Sequence, residues 1–503
     1  MVKRAMPLSV IDARRGLALR SKLALVLGIA VAGPVEAETL QDALAAAYRT
    51  NPTLAAARAN QRATDEFVPL AKADGRPAAS AGISYTEQIA RTAQTFPNTG
   101  YSLETTPARS LAGQASVSVP LYSGGSIRNA VRAARAQVEA GRSGLRGTEA
   151  AVFSSVAAAY MDVIRDSELV VLNEGNVATL EVNRRAVSDR YAVGDLTRTD
   201  VVQSQSRLDM ALADLERARA QLIGSKENYL ALVGSPPQDL EIPPTLQGLP
   251  DTPDAAVADA LSDNPDLTAS RQDITAAGYD VRAAKGQVMP RVTAFADGSY
   301  ADFLGSEDSR WGSATNRNAA VGLSISLPLY QGGRPAAAQR QAQARKSAAM
   351  EHAMEVERGV VAQVRASYAS WRAALATIAS MQSAVEAAEL ALQGVKAEHS
   401  VGTRTVLDIL NAQQEALSAR GQLVTAQRDA YVAGFTLLAV MGHADARELG
   451  LDMSGTSDPG SNYRRVRGKV FDYSFDPEPA RIAPSTAPLP AQDGTPVKVP
   501  QAF

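Results

Sequence analysis

The 503-residue chain contains no cysteine. That excludes disulfides, thiol nucleophiles, thiolate metal sites and a lipid anchor on an N-terminal cysteine. Histidine is nearly as scarce: His352, His399 and His443 stand far apart and match no metal-ligand spacing. Aromatic residues make up 5% of the chain although 45% is hydrophobic, because alanine carries much of the apolar count. An Ala-rich chain with Glu, Gln, Arg and Leu favours long helices. Neither sign of charge prevails, the formal net charge being −2, so no basic stripe marks a nucleic-acid surface. Beyond the N-terminus, no apolar run approaches the ~20 residues of a membrane-spanning helix. There is no nucleophile elbow, phosphate loop or metal-ligand motif, so the sequence points to no enzyme and no cofactor.

What is present begins with an export signal. Arg14, Arg15, Arg20 and Lys22 precede an apolar run from Leu23 to Ala32, and Gly33-Pro34 breaks it. Val35 and Ala37 then supply small residues at −3 and −1, so residues 1–37 are expected to be a signal peptide. An exported chain without a membrane-spanning helix that sits in a membrane must do so with strands.

The length alone suggests about two to four domains. The remainder is a tandem duplication. VPLYSGG at 119–125 returns as LPLYQGG at 327–333, 208 residues later. The same offset pairs Tyr160 with Tyr368, Val193-Gly194 with Val401-Gly402, Asp200 with Asp408 and Gly234 with Gly442. Upstream the offset becomes 213, pairing Asn51-Pro52 with Asn264-Pro265. The expected divisions are a first repeat at 38–235, a Pro-rich linker at 236–250, a second repeat at 251–445 and a disordered Pro-rich tail at 446–503.

Each repeat opens on a helical stretch of about 35 residues (39–73, 252–286), capped early by its Asn-Pro turn. Two alternating runs follow, around 79–95 and 109–119 in the first repeat and 291–303 and 318–327 in the second. Val117 and Val119 alternate with Ser116 and Ser118, and Ile325 and Leu327 with Ser324 and Ser326, which is strand periodicity. Polar loops at 95–107 and 305–316 join these runs into hairpins. Next comes a helix of about 65 residues, with Val364, Tyr368, Trp371, Leu375, Ile378 and Val385 on a 3-4 spacing. It ends at the Val-Gly turns of Gly194 and Gly402. A second helix of about 35 residues then returns. Leu208, Leu215, Leu222 and Tyr229 recur along it every seventh residue, as do Leu410, Leu417, Val424, Tyr431 and Leu438.

Two hairpins give four strands, and four strands leave edges that cannot face lipid. Several chains must therefore pool their strands. Two chains would give a barrel of eight, nearly filled by its own side chains; three would give twelve, which leave a lumen. The P-L-Y-x-G-G segments mark the passage from strand to helix at the rim. Pro120 and Pro328 would end the ladder, Tyr122 and Tyr330 suit the membrane–water interface, and Gly124-Gly125 and Gly332-Gly333 let the backbone turn. A soluble strand–turn–helix junction is the alternative for one copy, and two copies in this setting argue against it. A pore-free periplasmic coiled-coil adaptor would explain the heptads but not the hairpins.

These features resemble the TolC family of outer-membrane efflux and secretion proteins over nearly all of 38–442. The resemblance rests on the duplicated layout, on P-L-Y-x-G-G, and on the segments Tyr191–Asp200 and His399–Asp408. It implies a mainly α fold with β: a trimeric 12-stranded outer-membrane barrel continued by a coiled-coil tunnel across the periplasm. It implies no catalysis, and as partners a homotrimer, outer-membrane lipid, a periplasmic adaptor and an inner-membrane ABC or proton-driven pump. The missing N-terminal cysteine is more similar to the type I secretion branch. Asp408 matches the pore-constriction aspartate, and Asn411 stands where a second acidic residue is usual, so the ring carries about half the family's charge. A ring of Asp408 carboxylates would favour cations. Arg404 matches a latch arginine that meets residues corresponding to Asp200 and Thr199, and His399 replaces a tyrosine, making closure pH-sensitive. Read locally, Thr197-x-x-Asp200 and Thr405-x-x-Asp408 are also capping boxes, and the two roles are compatible.

Overall fold

The computed structural model describes residues 37–89, 93–95, 102–104, 109–304, 315–451 and 459–499. All but the last residue of the expected export signal lies outside these, as do the loop 305–314 and most of the loop after residue 89.

Each repeat opens on helices broken where proline and asparagine dictate. The first has α1 (Leu40–Thr50), α2 (Pro52–Asp65) and α3 (Phe67–Ala73) in place of the single stretch expected. Asn51 ends α1 and caps α2: its Oδ1 accepts from the Thr53 and Leu54 amides at 2.9 and 3.3 Å. Its Nδ2 donates to the Leu232 carbonyl at 3.0 Å, near the end of the returning helix. Pro69 has no N–H for the Asp65 carbonyl, and the chain breaks at Glu66 before α3.

The sheet consists of β1 (Ala78–Glu87), β4 (Arg109–Ser123), β5 (Arg291–Leu304) and β6 (Thr315–Ser326), antiparallel in the order β1-β4-β5-β6. The run expected at 79–95 is not one strand. Thr86-Glu87-Gln88 breaks the alternation, and β2 (Ala93–Thr95) pairs with β3 (Ser102–Glu104) in a separate small hairpin. In the main sheet the register puts Val117, Val119, Val292, Val321, Leu323 and Ile325 on one face. Ser80, Gln114, Ser116, Ser118, Asp297, Ser299, Asn318, Ser324 and Ser326 share the other, where the Ser80 and Ser116 hydroxyls lie 2.9 Å apart. The outward edges of β1 and β6 pair with no strand among the described residues.

From the sheet descend α4 (Ser126–Ala192) and, in the second repeat, α8 (Arg334–Ser400), each of 67 residues and hence about 100 Å long. Their returning partners are α5 (Arg198–Val233) and α9 (Val406–Met441). The heptad residues Leu208, Leu215, Leu222 and Tyr229 are all buried. The second repeat opens on α6 (Pro253–Asp263) and α7 (Pro265–Lys285). Asn264 repeats the work of Asn51, capping α7 through the Leu267 amide (3.0 Å) and donating to the Val440 carbonyl (2.8 Å). Tyr160 likewise donates to the Glu38 and Glu241 carbonyls at 2.7 and 2.6 Å, and its counterpart Tyr368 to the Asp251 carbonyl at 2.6 Å.

The repeats differ in what covers them. α4 buries side chains from Ala133 to Val187, packed by α1–α3, α5, α7 and α9. α8, equally long, buries only Pro335, Ala353, Val360, Val364, Ser367 and Ala388. One side of α8 has no neighbour among the described residues.

The tail corrects an expectation of disorder. α10 (Pro459–Val466) and the chain to residue 499 lie on the first repeat. Lys226, itself buried, donates to Asp493 Oδ1 at 3.2 Å and to the Thr495 carbonyl at 2.6 Å, and the Val497 amide donates to Ser167 Oγ at 3.2 Å. Composition underestimated order because the bonds that hold the segment come from helices hundreds of residues away.

Burial raises the Glu149 carboxyl on α4 to about 7, with the Asp445 carboxylate adding to the shift and Arg58 and Arg146 opposing it. The folded state therefore holds a proton that the unfolded chain releases near 4.5. The stabilising contribution is complete below that value and is lost as pH rises through about 7. Glu149→Gln should raise the thermal midpoint of the detergent-solubilised protein at pH 8 and change it little at pH 5, measured by circular dichroism.

Candidate junctions, tips and gate

The two P-L-Y-x-G-G segments have different settings. In the first, the ladder does not stop at Pro120. Leu121 bulges out, and Tyr122 and Ser123 go on pairing with Val292 and Arg291. The bulge puts Tyr122 opposite Val292, hence on the apolar face rather than the serine face. In the second, β6 ends at Ser326, before Pro328, and Tyr330 is 90% exposed. The ladder ends there because β5, its partner within the chain, begins at Arg291, opposite Ser326.

All four glycines of the junctions take positive φ: 63° and 77° at Gly124 and Gly125, 59° and 81° at Gly332 and Gly333. Gly124 has a second reason to be glycine, since a Cβ there would lie 2.5 Å from the Gly286 carbonyl oxygen and from Met289 Cβ. At Gly332 the corresponding space is empty.

At the far ends of the long helices, the Val-Gly turns place Gly194 at φ 85° and Gly402 at φ 83°. Both capping boxes form. Thr405 N–H and Oγ1 donate to Asp408 Oδ2 at 2.9 and 2.8 Å, and the Asp408 amide donates back to Thr405 Oγ1 at 3.2 Å. Thr197 and Asp200 repeat the arrangement at 2.9, 2.7 and 3.3 Å. These bonds from Thr405 hold the exposed Asp408 carboxyl below the usual carboxylate range, and those from Thr197 do the same for Asp200. Asp408 therefore reaches the tip ionised, with Oδ1 left for solvent or an ion.

Each turn is also crossed by an ion pair, with the charges reversed. Arg190 pairs with Asp195 at 2.7 Å in the first, Glu398 with Arg404 at 2.7 Å in the second. Arg404 is thus engaged by Glu398, and His399 Nδ1 lies 2.8 Å from the Arg404 carbonyl, where it donates. Within the chain neither residue reaches Asp200 or Thr199. The structure gathers Arg404, His399 and Asp408 on one turn and Thr199 and Asp200 on the other.

The α8–α9 pair shares a buried apolar cluster with α4 and α5 through Leu410 and Phe435, and polar contacts that were not anticipated add to it. Arg207 on α5 donates to Asn411 Oδ1 at 2.8 Å, and Gln413 Nε2 donates to Asn176 Oδ1 on α4 at 3.0 Å. Farther from the tip, Arg428 on α9 meets Asp162 on α4 at 2.8 Å. Nothing in the sequence singles out Arg207, one helix-face arginine among many; only Asn411, read as a missing acid, was legible.

Thr405→Val removes the hydroxyl that accepts the Asp408 amide. Loss of a cap is worth ~1 kcal/mol, so that amide should exchange with solvent about fivefold faster in a hydrogen-exchange measurement, with amides deep in α9 unchanged.

The profile of the Outer membrane efflux protein family matches residues 43–235 and again 256–443, once per repeat. Outer membrane efflux protein BepC of Brucella suis is 34% identical over 434 residues, covering 86% of this chain and 91% of its own. Alkaline protease secretion protein AprF of Pseudomonas aeruginosa is 29% identical over 273 residues, 52% of this chain and 55% of its own. Among solved structures, the outer membrane protein VceC of Vibrio cholerae superposes with a TM-score of 0.68 at 23% identity, over 80% of this chain and 96% of that one. The Campylobacter jejuni CmeC outer membrane channel does so at 0.70 and 15% identity, over 85% and 89%. A fold of two hairpins and two long helix pairs, matched once per repeat, leaves one assignment: the chain belongs to the outer membrane efflux protein family.

Proposed function

We propose that three copies close a twelve-stranded barrel in the outer membrane and that their helices form a tunnel carrying cargo from an inner-membrane pump and its periplasmic adaptor. The observation that carries this reading is the four-stranded sheet with two unpaired edges. Twelve strands leave room for a lumen, and the serine face suits water inside it while the valine and leucine face suits lipid. The empty space at Gly332 has its filled counterpart at Gly124, and the open side of α8 its covered counterpart on α4. By that correspondence a neighbouring molecule supplies to the second repeat what α7 and its following turn supply to the first. The pore-free coiled-coil alternative leaves the hairpins and the family match unexplained.

The tip is the gate. Three Asp408 carboxylates converge there and favour cations, with Asn411 diluting the ring. Arg404 and His399 reach Asp200 and Thr199 across neighbouring helix pairs when molecules assemble, and Arg207–Asn411 and Gln413–Asn176 hold the pairs together inside each molecule. Opening swings α8 and α9 outward and exchanges these polar contacts for water.

In planar bilayers, Arg404→Ser with His399→Phe should conduct severalfold better than the unsubstituted protein, and Arg207→Ala with Gln413→Ala should add to that; equal conductance in all three would remove the latch. Gly332→Val should lower the yield of trimer, measured by light scattering, more than it lowers helix content, whereas Gly124→Val should lower both.

A further inference from the structure

The tail lies outside both repeats, yet it is held in a particular place. Asn462 on α10 donates to Asp65 Oδ2 at 2.9 Å, the Tyr463 ring lies 5.0 Å from the Arg142 guanidinium, and Val466 is fully buried. Lys72 then donates to the Arg467 carbonyl and Arg76 to the Lys469 carbonyl, both at 2.7 Å. Arg76 stands two residues before β1, so residue 469 is fixed close to the helical end of the sheet. From there the chain makes a short loop. The Ser474 amide donates to the Phe471 carbonyl at 3.1 Å, and Asp476 returns to accept from Arg465 at 2.7 Å and from Lys469 at 3.1 Å.

That loop is tied at both ends and presents aromatic rings to the outside. Phe471, Tyr473 and Phe475 are 72, 78 and 81% exposed, with ring centroids 6.1 and 6.4 Å apart in edge-on contact. Beside it lies a cluster of cations. Partial burial, then the charges of Arg135, Arg76 and Arg467, draw the Lys72 ammonium below its usual value. Among the described residues no carboxylate forms a salt bridge with any of these four. Exposed aromatics beside unneutralised cations, at the level where strands give way to helices, match the chemistry of a lipid headgroup layer.

We propose that residues 470–475 form an interfacial anchor: Phe471, Tyr473 and Phe475 enter the headgroup layer of the leaflet at the helical end of the sheet, and Lys72, Arg76, Arg135 and Arg467 bind anionic phospholipid phosphates. The inference rests on the sheet spanning that membrane. The occupant is lipid rather than protein because Arg76, which ties the loop at the Lys469 carbonyl, stands just before β1, and the sheet that β1 joins has a Val117–Val119 face that already requires lipid.

The test uses the full-length protein reconstituted in phosphatidylcholine vesicles, with or without phosphatidylglycerol, containing lipids brominated near the headgroup end of the acyl chain. Trp311 and Trp371 are replaced by Phe, and a single tryptophan is introduced by Tyr473→Trp or, on the sheet's apolar face, by Val321→Trp. Both reporters should be quenched. Phosphatidylglycerol should raise quenching of the loop reporter about twofold, through attraction of the cations to an anionic surface. Arg135→Glu with Arg467→Glu should abolish that rise; neither side chain holds the tail in place, since Arg467 does so through its carbonyl. A loop reporter that lipid leaves unquenched while the sheet reporter is quenched overturns the anchor and leaves the barrel standing. Quenching of neither overturns the barrel reading and the anchor with it. Quenching indifferent to anionic lipid overturns the phosphate contacts.

Discussion

The unpaired backbone along β1 and β6 governs everything else about this molecule. Water can satisfy those N–H and C=O groups; hydrocarbon cannot, and each left open there costs several kcal/mol. A sheet of four strands with a valine–leucine face is therefore incomplete in its working solvent. In the proposed assembly the open side of α8 and the open space at Gly332 face a neighbouring copy as well. Strand edges, helix flank and glycine turn lie at different heights of the fold, and in the proposed trimer the adjoining copies on the two sides cover them.

Duplication explains how one sequence encodes a long hollow object economically. The Asn51 and Asn264 caps, the Tyr160 and Tyr368 bonds, the two junction turns and the two capping boxes are each written twice. Function lies where the copies diverge. The α4–α5 pair is knitted by buried Leu208, Leu215, Leu222 and Tyr229 and covered by the tail. The α8–α9 pair meets its neighbour near the tip through Arg207–Asn411 and Gln413–Asn176. Apolar packing resists separation into water, whereas polar partners can trade one another for solvent at small net cost. Near the tip, the polar contacts of the α8–α9 pair exchange for water at less cost than its buried Leu410 and Phe435.

How much of this was legible follows from the range of each cause. Helices, strands, heptads and both capping boxes arise from residues a few positions apart, and the sequence displays them. Both tips likewise turn on glycine as the Val-Gly pairs require. The bulge at Leu121 was hidden because it depends on where β5 begins, and Pro120 alone suggested that the ladder would stop. Arg404 has Glu398 within six residues, yet resemblance drew attention to Asp200, which lies on another turn. The tail illustrates the other limit. Proline and charge made 446–503 look disordered, whereas Lys226 and Ser167, more than 200 residues earlier, hold its end.

The reversed ion pairs at the two turns have a consequence for whatever docks there. The backbones of the tips are alike, down to the same glycine and the same threonine–aspartate clasp. Their electrostatic signatures are not, because arginine precedes the acid in one and follows it in the other. On a ring of three molecules, a partner that senses only contour meets six equal sockets. One that senses charge meets three of each kind, so the stoichiometry of docking is set by which property the partner reads.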